Sequence, residues 1–261
     1  MILRRLMQHM KEQNWIAVGL DLAIVILGIF LGFQVTEWNA QRQDYAHAQV
    51  LTARLIVDLE DELWRISAER AYAADLANVA NTTLDALEGR REISDADLMI
   101  NAYRSSQIWW ASNSRSTYDE LVTTGAINLI DNPALRQAAT EYYNTPLDEL
   151  SLTYGTSLQY RERFRSVIPP QLHSLLDATC RENVYIETGD YNSLENILDF
   201  PCDFSAPESD IADFAFVLRN DPSLPDLLRL RINSINAQSQ TLPYYTDLLN
   251  LAIESEKPQI E

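Results

Sequence analysis

The chain is predicted to be all-α: an N-terminal transmembrane helix runs on into an antiparallel helical bundle that carries one small disulfide-closed, non-helical insert. Three observations predict it. Only seven glycines occur in 261 residues. Apolar residues recur at helical spacing along nearly the whole chain. The stretch Ile16–Phe33 is apolar except for Asp21, with Trp15 and Trp38 beyond its two ends.

Trp15 to Trp38 is 23 helical steps, about 34 Å of rise at 1.5 Å per residue. A bilayer hydrocarbon core is roughly 30 Å thick and needs about 20 such residues. The segment therefore reads as a span with an aromatic belt at each interface. The rival reading is a cleaved signal peptide, with an apolar core of 7–15 residues and a small-residue cleavage site just after it. Here the run is longer, and Gly32–Trp38 offers no such site. An uncleaved anchor is expected. The sequence then divides into a cytoplasmic segment 1–14, a transmembrane helix 15–38 and an extracytoplasmic helical domain 39–261. Arg4, Arg5 and Lys11 precede the span, whereas only Arg42 follows closely. Basic residues stay on the cytoplasmic side, so the expected place is a bacterial inner membrane, single-pass, with the C-terminal domain in the periplasm.

No Pro or Gly interrupts Gln34–Glu88, so the span is expected to run on into the first outer helix. Leu51, Leu55, Leu59 and Leu63 repeat every four residues, widened by Ile56, Ile66 and Val79. Ala68, Ala71, Ala74, Ala77 and Ala80 form a small-residue row suited to close packing. Gly89 is a plausible stop, followed by Arg90-Arg91 at the negative helix end. Ser94 with Asp97 resembles a capping box for a helix over about 95–111. Ser116 or Thr117 starts another, ending at Gly125. Asn132-Pro133 supplies an N-cap followed by proline at the first helical position. That helix should run toward Ser166, be kinked or split by Pro146, and stop at Pro169-Pro170. Residues 179–206 form the non-helical insert, where Asn183–Thr188 could pair as a small strand. Ser205-Ala206-Pro207 opens a helix to Arg219. Asp221-Pro222 opens the last long one, interrupted near Pro243 and fading by Glu256.

Cys180 and Cys202 are the two cysteines, and both lie in the stretch lacking helical periodicity. An even, sparse count outside the cytoplasm reads as one disulfide. Such a loop is stabilised by roughly 3 kcal/mol on the chain-entropy model. The alternative is two buried free thiols. Two separated cysteines are too few for a metal site, and neither a metal nor a cofactor is expected.

The net charge is −18. Residues 1–38 hold equal numbers of basic and acidic side chains, so the outer part carries all of it. Nucleic-acid binding is disfavoured, because phosphate affinity rests on Lys and Arg. The surface reads as soluble and self-repelling, with attraction to a basic partner or a cation as the sharper alternative.

Two stretches resemble a widespread, uncharacterised family of bacterial single-pass membrane proteins. The first is Asp21–Asn39, an acidic residue before an Ile/Leu/Gly-rich span that ends in Gln34 and Trp38-Asn39. The second is Tyr118–Arg136, with Leu121-x-x-x-Gly125 before Asn128-Leu129-Ile130 and a later Tyr142-Tyr143. This chain departs from the family in having Thr36-Glu37 before Trp38, where Asn is usual, and in its Cys180–Cys202 insert. The resemblance implies a single-pass envelope protein and no particular activity.

Within the span, Gly28-x-x-x-Gly32 would let another helix approach closely. Asp21 is unusual at about 9 Å inside the first belt: it reads either as a protonated or water-reaching carboxyl with no partner, or as a hydrogen-bond or ion-pair partner of a neighbouring span. Gln34 could do the same at the other interface. The expected partner through the span is a second copy or another membrane protein. Trp109-Trp110 reads first as core, and otherwise as a ligand cleft or a partner surface. Tyr142-Tyr143 and Tyr244-Tyr245 read the same way. No G-x-S-x-G or H-E-x-x-H occurs, and no catalytic residue can be named. Asp58, Glu60, Asp61 and Glu62 read as a solvated face. The expected function is an envelope-anchored interaction or accessory module. The alternatives are a ligand-sensing domain acting through a partner and, more remotely, a carboxylate-dependent hydrolase.

Overall fold

The structure, a computed structural model, describes residues 15–108, 114–145, 158–180, 188–194, 197, 198 and 200–256. It is all-α, with eight α-helices and no strand among the described residues. In chain order they are α1 (Trp15–Leu87), α2 (Asp95–Ser105), α3 (Ser116–Thr123), α4 (Pro133–Asn144), α5 (Leu158–Val167), α6 (Pro170–Thr179), α7 (Glu208–Asn220) and α8 (Leu224–Glu254). Short 3-10 turns cover Ala126–Leu129 and Asn192–Leu194. The chain divides into two units, one of Met1–Ala53 with Glu120–Ile130, the other of Arg54–Asp119 with Asp131–Glu261.

α1 is unbroken over 73 residues. It ends at Gly89, whose φ of 72° suits a residue without a Cβ. Gly89 N–H donates to Ala86 O (3.2 Å) and Arg90 N–H to Asp85 O (2.8 Å), which together make a Schellman stop. The predicted caps form as well. Ser94 Oγ accepts from Asp97 N–H at 3.0 Å. Asn132 Oδ1 accepts from Ala134 and Leu135 N–H at 2.9 and 3.2 Å, while its Nδ2 donates to Ser255 Oγ at 2.8 Å. Gly125, with φ 75°, ends α3.

Other expectations are corrected. α2 stops at Ser105 rather than near 111. Ser105 Oγ, Ser106 Oγ and Gln107 Nε2 donate to the carbonyls of Asn101 and Tyr103, and so compete for the helix's own acceptors. The helix expected over 132–166 is split, one of the two outcomes expected at Pro146: α4 ends at Asn144, and Thr145, before the proline, is extended (ψ 126°), as a residue before proline tends to be. Pro170 is not only a stop. It opens α6 from its first turn, where its missing N–H costs nothing. Pro243 does not interrupt α8. Buried Leu242, Leu249, Ala252 and Ile253 keep that helix packed through the proline. The alanine row also drifts, because three residues turn only about 300°. Ala68 and Ala80 are buried but Ala74 faces solvent, and the buried face runs through Tyr72, Ala73 and Leu76 instead. The strand expected over 183–188 falls almost wholly outside the described residues.

In the first unit the apolar residues Leu22–Val35 are exposed on every side of α1, while Ala48 and Leu51 are buried. Leu121, Ala126 and Ile130 are buried in the same unit, and His47 Nε2 lies 3.7 Å from Glu120. In the second unit Leu98, Met99, Tyr103, Tyr160, Phe164, Leu176, Phe214 and Leu228 join one core, drawn from α2, α5, α6, α7 and α8, against the end of α1. A second cluster seats Leu194, Ile197 and Leu198 of the insert on Tyr72, Ala73 and Leu76. Cys180 and Cys202 are disulfide-bonded and close the insert, with Cα atoms 4.6 Å apart.

Candidate functional site

Three places in the molecule concentrate polar chemistry. The first is the apolar part of α1. Because the helix is continuous there, Gly28 and Gly32 (i+7 and i+11) each lie within about 20° of Asp21 around the axis, on one face. Gln34 and Trp38 point elsewhere and are exposed. A Cβ at Gly28 or Gly32 would meet nothing within 4 Å, so this face is open. Thr36 Oγ1 donates to Gly32 O at 2.9 Å, which keeps the hydroxyl satisfied within the helix. Asp21 is half-buried, and its Oδ2 has no hydrogen-bond partner among the described residues. Trp15 is the first residue of the helix.

The second place is a buried charge cluster that sequence reasoning missed. Glu62, Arg65 and Glu69 stand at i, i+3 and i+7 on α1, and all three are buried. Arg65 Nε donates to Glu62 Oε2 (2.8 Å) and Arg65 Nη1 to Glu69 Oε2 (3.4 Å). Arg65 Nη2 donates to the Tyr142 hydroxyl (2.9 Å), which donates in turn to Glu62 Oε2 (2.5 Å). The other oxygens are engaged too: Ser114 N–H donates to Glu62 Oε1, and Gln238 Nε2 to Glu69 Oε1. One cluster on α1 thereby ties α4, α8 and the approach to α3. Burial by itself disfavours the Arg65 charge, but the Tyr142 oxygen and Glu62 outweigh it and hold the guanidinium pKa above its ordinary value. Burial pushes the Tyr142 phenol well up; Arg65 pulls it back and Glu62 adds to the rise. Both groups thus keep their protons at any physiological pH. The donors and acceptors of the cluster are engaged with one another across three elements, so it suits cohesion.

Around it the tyrosines pack. Tyr118 and Tyr143 stack at 4.8 Å, and Tyr142 meets Tyr143 and Tyr245 edge-on. Tyr142 and Tyr143 are core, as read from sequence. Tyr244 is not: it is exposed, and its hydroxyl donates to Glu141. Asp58 Oδ2 and the Tyr143 hydroxyl are buried without a hydrogen-bond partner among the described residues. The solvated-face reading therefore holds for Glu60 and Asp61, which are exposed, and fails for Glu62 and for half-buried Asp58. Tyr142 is the partner that turns Glu62 and Arg65 inward, and a contact 80 residues away leaves no local signal.

The third place is a cleft of about 360 Å³, lined by α1 (Glu60, Asp61, Trp64), the insert (Tyr191) and α8 (Asn250, Glu254). The insert wall is built locally. Asp190 Oδ1 accepts from Asn192 N–H at 3.1 Å, and Asp190 Oδ2 accepts from Ser193 Oγ. It is held to α1 by Leu198 N–H on Asp75 Oδ2 (3.3 Å). Arg104 reinforces it by donating to Phe200 O at 2.5 Å and lying 4.6 Å over the Phe200 ring. Trp109 and Trp110 lie outside the described residues. No group of three or more His, Cys, Asp or Glu side chains stands close enough to hold a metal ion among the described residues.

No family model, no curated protein and no solved structure matches this chain. The likeness of Asp21–Asn39 and Tyr118–Arg136 to a bacterial membrane-protein family therefore remains a likeness of two segments.

Proposed function

We propose that the chain is a single-pass, membrane-anchored helical interaction module of the bacterial inner membrane. Its N-terminus is cytoplasmic, its head is periplasmic, and it scaffolds or accompanies another membrane protein or a second copy of itself. One observation carries the reading: the apolar window of α1 has a mean hydropathy of 2.2, and none of it is buried. A helix apolar on all sides needs either a protein core or lipid around it, and here no core covers it. The Cys180–Cys202 disulfide suits an oxidising compartment beyond the membrane. Gly28 and Gly32 offer open helix surface to a neighbouring span, and on the same side Asp21 carries a carboxyl oxygen that lacks a partner among the described residues.

Asp21→Leu tests the assembly role. The variant should insert at least as well as the parent, since aspartate is costly in lipid, yet migrate as a smaller species in native electrophoresis after gentle detergent extraction. Unchanged migration would remove Asp21 from the assembly. A reporter fused after Glu261 tests orientation; it should be active only outside the cytoplasm.

A further inference from the structure

The face of Asp21, Gly28 and Gly32 does not end with the apolar window of α1. At about 100° per residue, Asn39, Ala46, Val50 and Ala53 all lie within about 40° of Asp21 around the helix axis. All four are exposed, Val50 to 53%. The residues that α1 buries in this unit, Ala48 and Leu51, lie about 120–180° away. The strip is therefore no edge of a core. It is a separate line on the opposite side of the helix, about 48 Å long from Asp21 to Ala53 at 1.5 Å per residue. Charge sets it apart as well. A net charge of −18 makes most of this surface a poor place for two copies to meet. Between Leu22 and Ala53, however, the acidic residues are Glu37 and Asp44 alone. Both project about 140–160° away from the strip.

Two copies of a single-pass chain cross lipid in the same direction. A pair is then parallel, and its two-fold axis sets each residue of the strip opposite its own copy. The residues present tolerate that. Gly28, Gly32, Ala46 and Ala53 are small enough for two backbones to come close, and Val50 meets Val50. The Asn39 amide holds both a donor and an acceptor, so it pairs with itself. A protonated Asp21 carboxyl does the same, and Asp21 Oδ2 has no other partner among the described residues. We propose that α1 pairs with α1 of a second copy, in parallel and in register, along this strip from Asp21 to Ala53. The proposal rests on the membrane-anchor reading, because lipid enforces the shared direction. It adds that the partner is the chain itself, and that the contact continues about 22 Å past Trp38.

Cysteine cross-linking of the full-length chain in the membranes of cells that make it tests the pairing. Both native cysteines are tied in one disulfide, so an introduced cysteine supplies the free thiol. With a short bismaleimide, Ala46→Cys, Val50→Cys and Ala53→Cys should each give a product of twice the chain's mass. Gln41→Cys, Asp44→Cys and Tyr45→Cys are exposed but lie about 120–160° away, and should give at least about fivefold less. Two differently tagged copies should appear together in the product, and a monofunctional maleimide verifies that all six thiols react. Adding Val50→Asp to Ala46→Cys sets a carboxylate of each copy against the other and should cut the product about tenfold, whereas adding Asp44→Asn should change it less than about twofold. Carbonate extraction of the same membranes separates the two readings. A chain that stays in the pellet but cross-links evenly around the helix, or only to products of another mass, keeps its anchor and loses this dimer. Release from the pellet overturns the anchor and the enforced alignment together.

Discussion

The two halves of α1 belong to one unbroken helix, the first nearly all apolar and the second mixed with charge, and they meet opposite surroundings. From Leu22 to Val35 the large apolar side chains are exposed all round. From Leu55 to Leu84 the apolar residues keep to one buried face, and that face also buries Glu62, Arg65 and Glu69. The distribution of apolar residues separates the halves: a stripe packs on a protein core, whereas a full apolar cylinder needs a core or lipid around it. Charges diverge in the same way. Asp21 has an oxygen with no partner among the described residues, whereas Glu62 is held by Arg65, Tyr142 and Ser114.

The sharpest way to break this contrast is Arg65→Ala. Removing the guanidinium leaves two buried carboxylates facing each other, which should cost about 3–5 kcal/mol of head stability. A denaturant melt of the full chain would read it, and a change under 1 kcal/mol would mean that water reaches the cluster. Next is a pair of exposed apolar residues on the same helix. Leu27 is 58% exposed and Val57 is 55% exposed. Leu27→Arg should disfavour membrane insertion by about 2.5–3.5 kcal/mol. Val57→Arg should change stability by no more than about 0.5 kcal/mol. Equal tolerance of both would erase the lipid-facing assignment. A glycine pair sharpens the comparison further. Gly89→Ala forces a Cβ into a left-handed backbone and should cost about 1–2 kcal/mol. Gly28→Ala has helical backbone and open space, so it should leave the melt unchanged and alter only span association.

The smallest effect concerns acid. Burial alone would raise the Asp221 pKa, but hydrogen bonds from Ser223 and the Arg163 guanidinium outweigh it and hold the carboxyl below its ordinary value. The stability it lends is present above the unfolded value near 4 and is lost as pH falls through the lower folded value. Asp221→Asn should therefore be less stable at neutral pH, with a flatter profile below about pH 4. Melts at pH 7 and pH 3 measure both.

What could be read from sequence was local. Ser94, Gly89, Gly125 and Asn132 act on backbone groups within a few residues, so their signals sit where their effects are. Pro146 marked the α4 boundary for the same reason. The ambiguous signals were prolines whose outcome depends on neighbours. Pro170 begins a helix where it was read as ending one, and Pro243 is carried through by the packing of Leu242 and Leu249. The candidate sites were less legible. Nothing near Glu62 announces Tyr142, and nothing near Glu60 announces Tyr191 or Glu254, because those partners arrive through tertiary folding. The long apolar helix at the N-terminal side was legible because its signal lies in a single uninterrupted segment.

Carbonate extraction of membranes holding the full-length chain tests the central claim most directly. The uncovered apolar length of α1 predicts that the protein stays with the lipid pellet at its full mass. Release into the supernatant, or a mature chain beginning after Trp38, would contradict it.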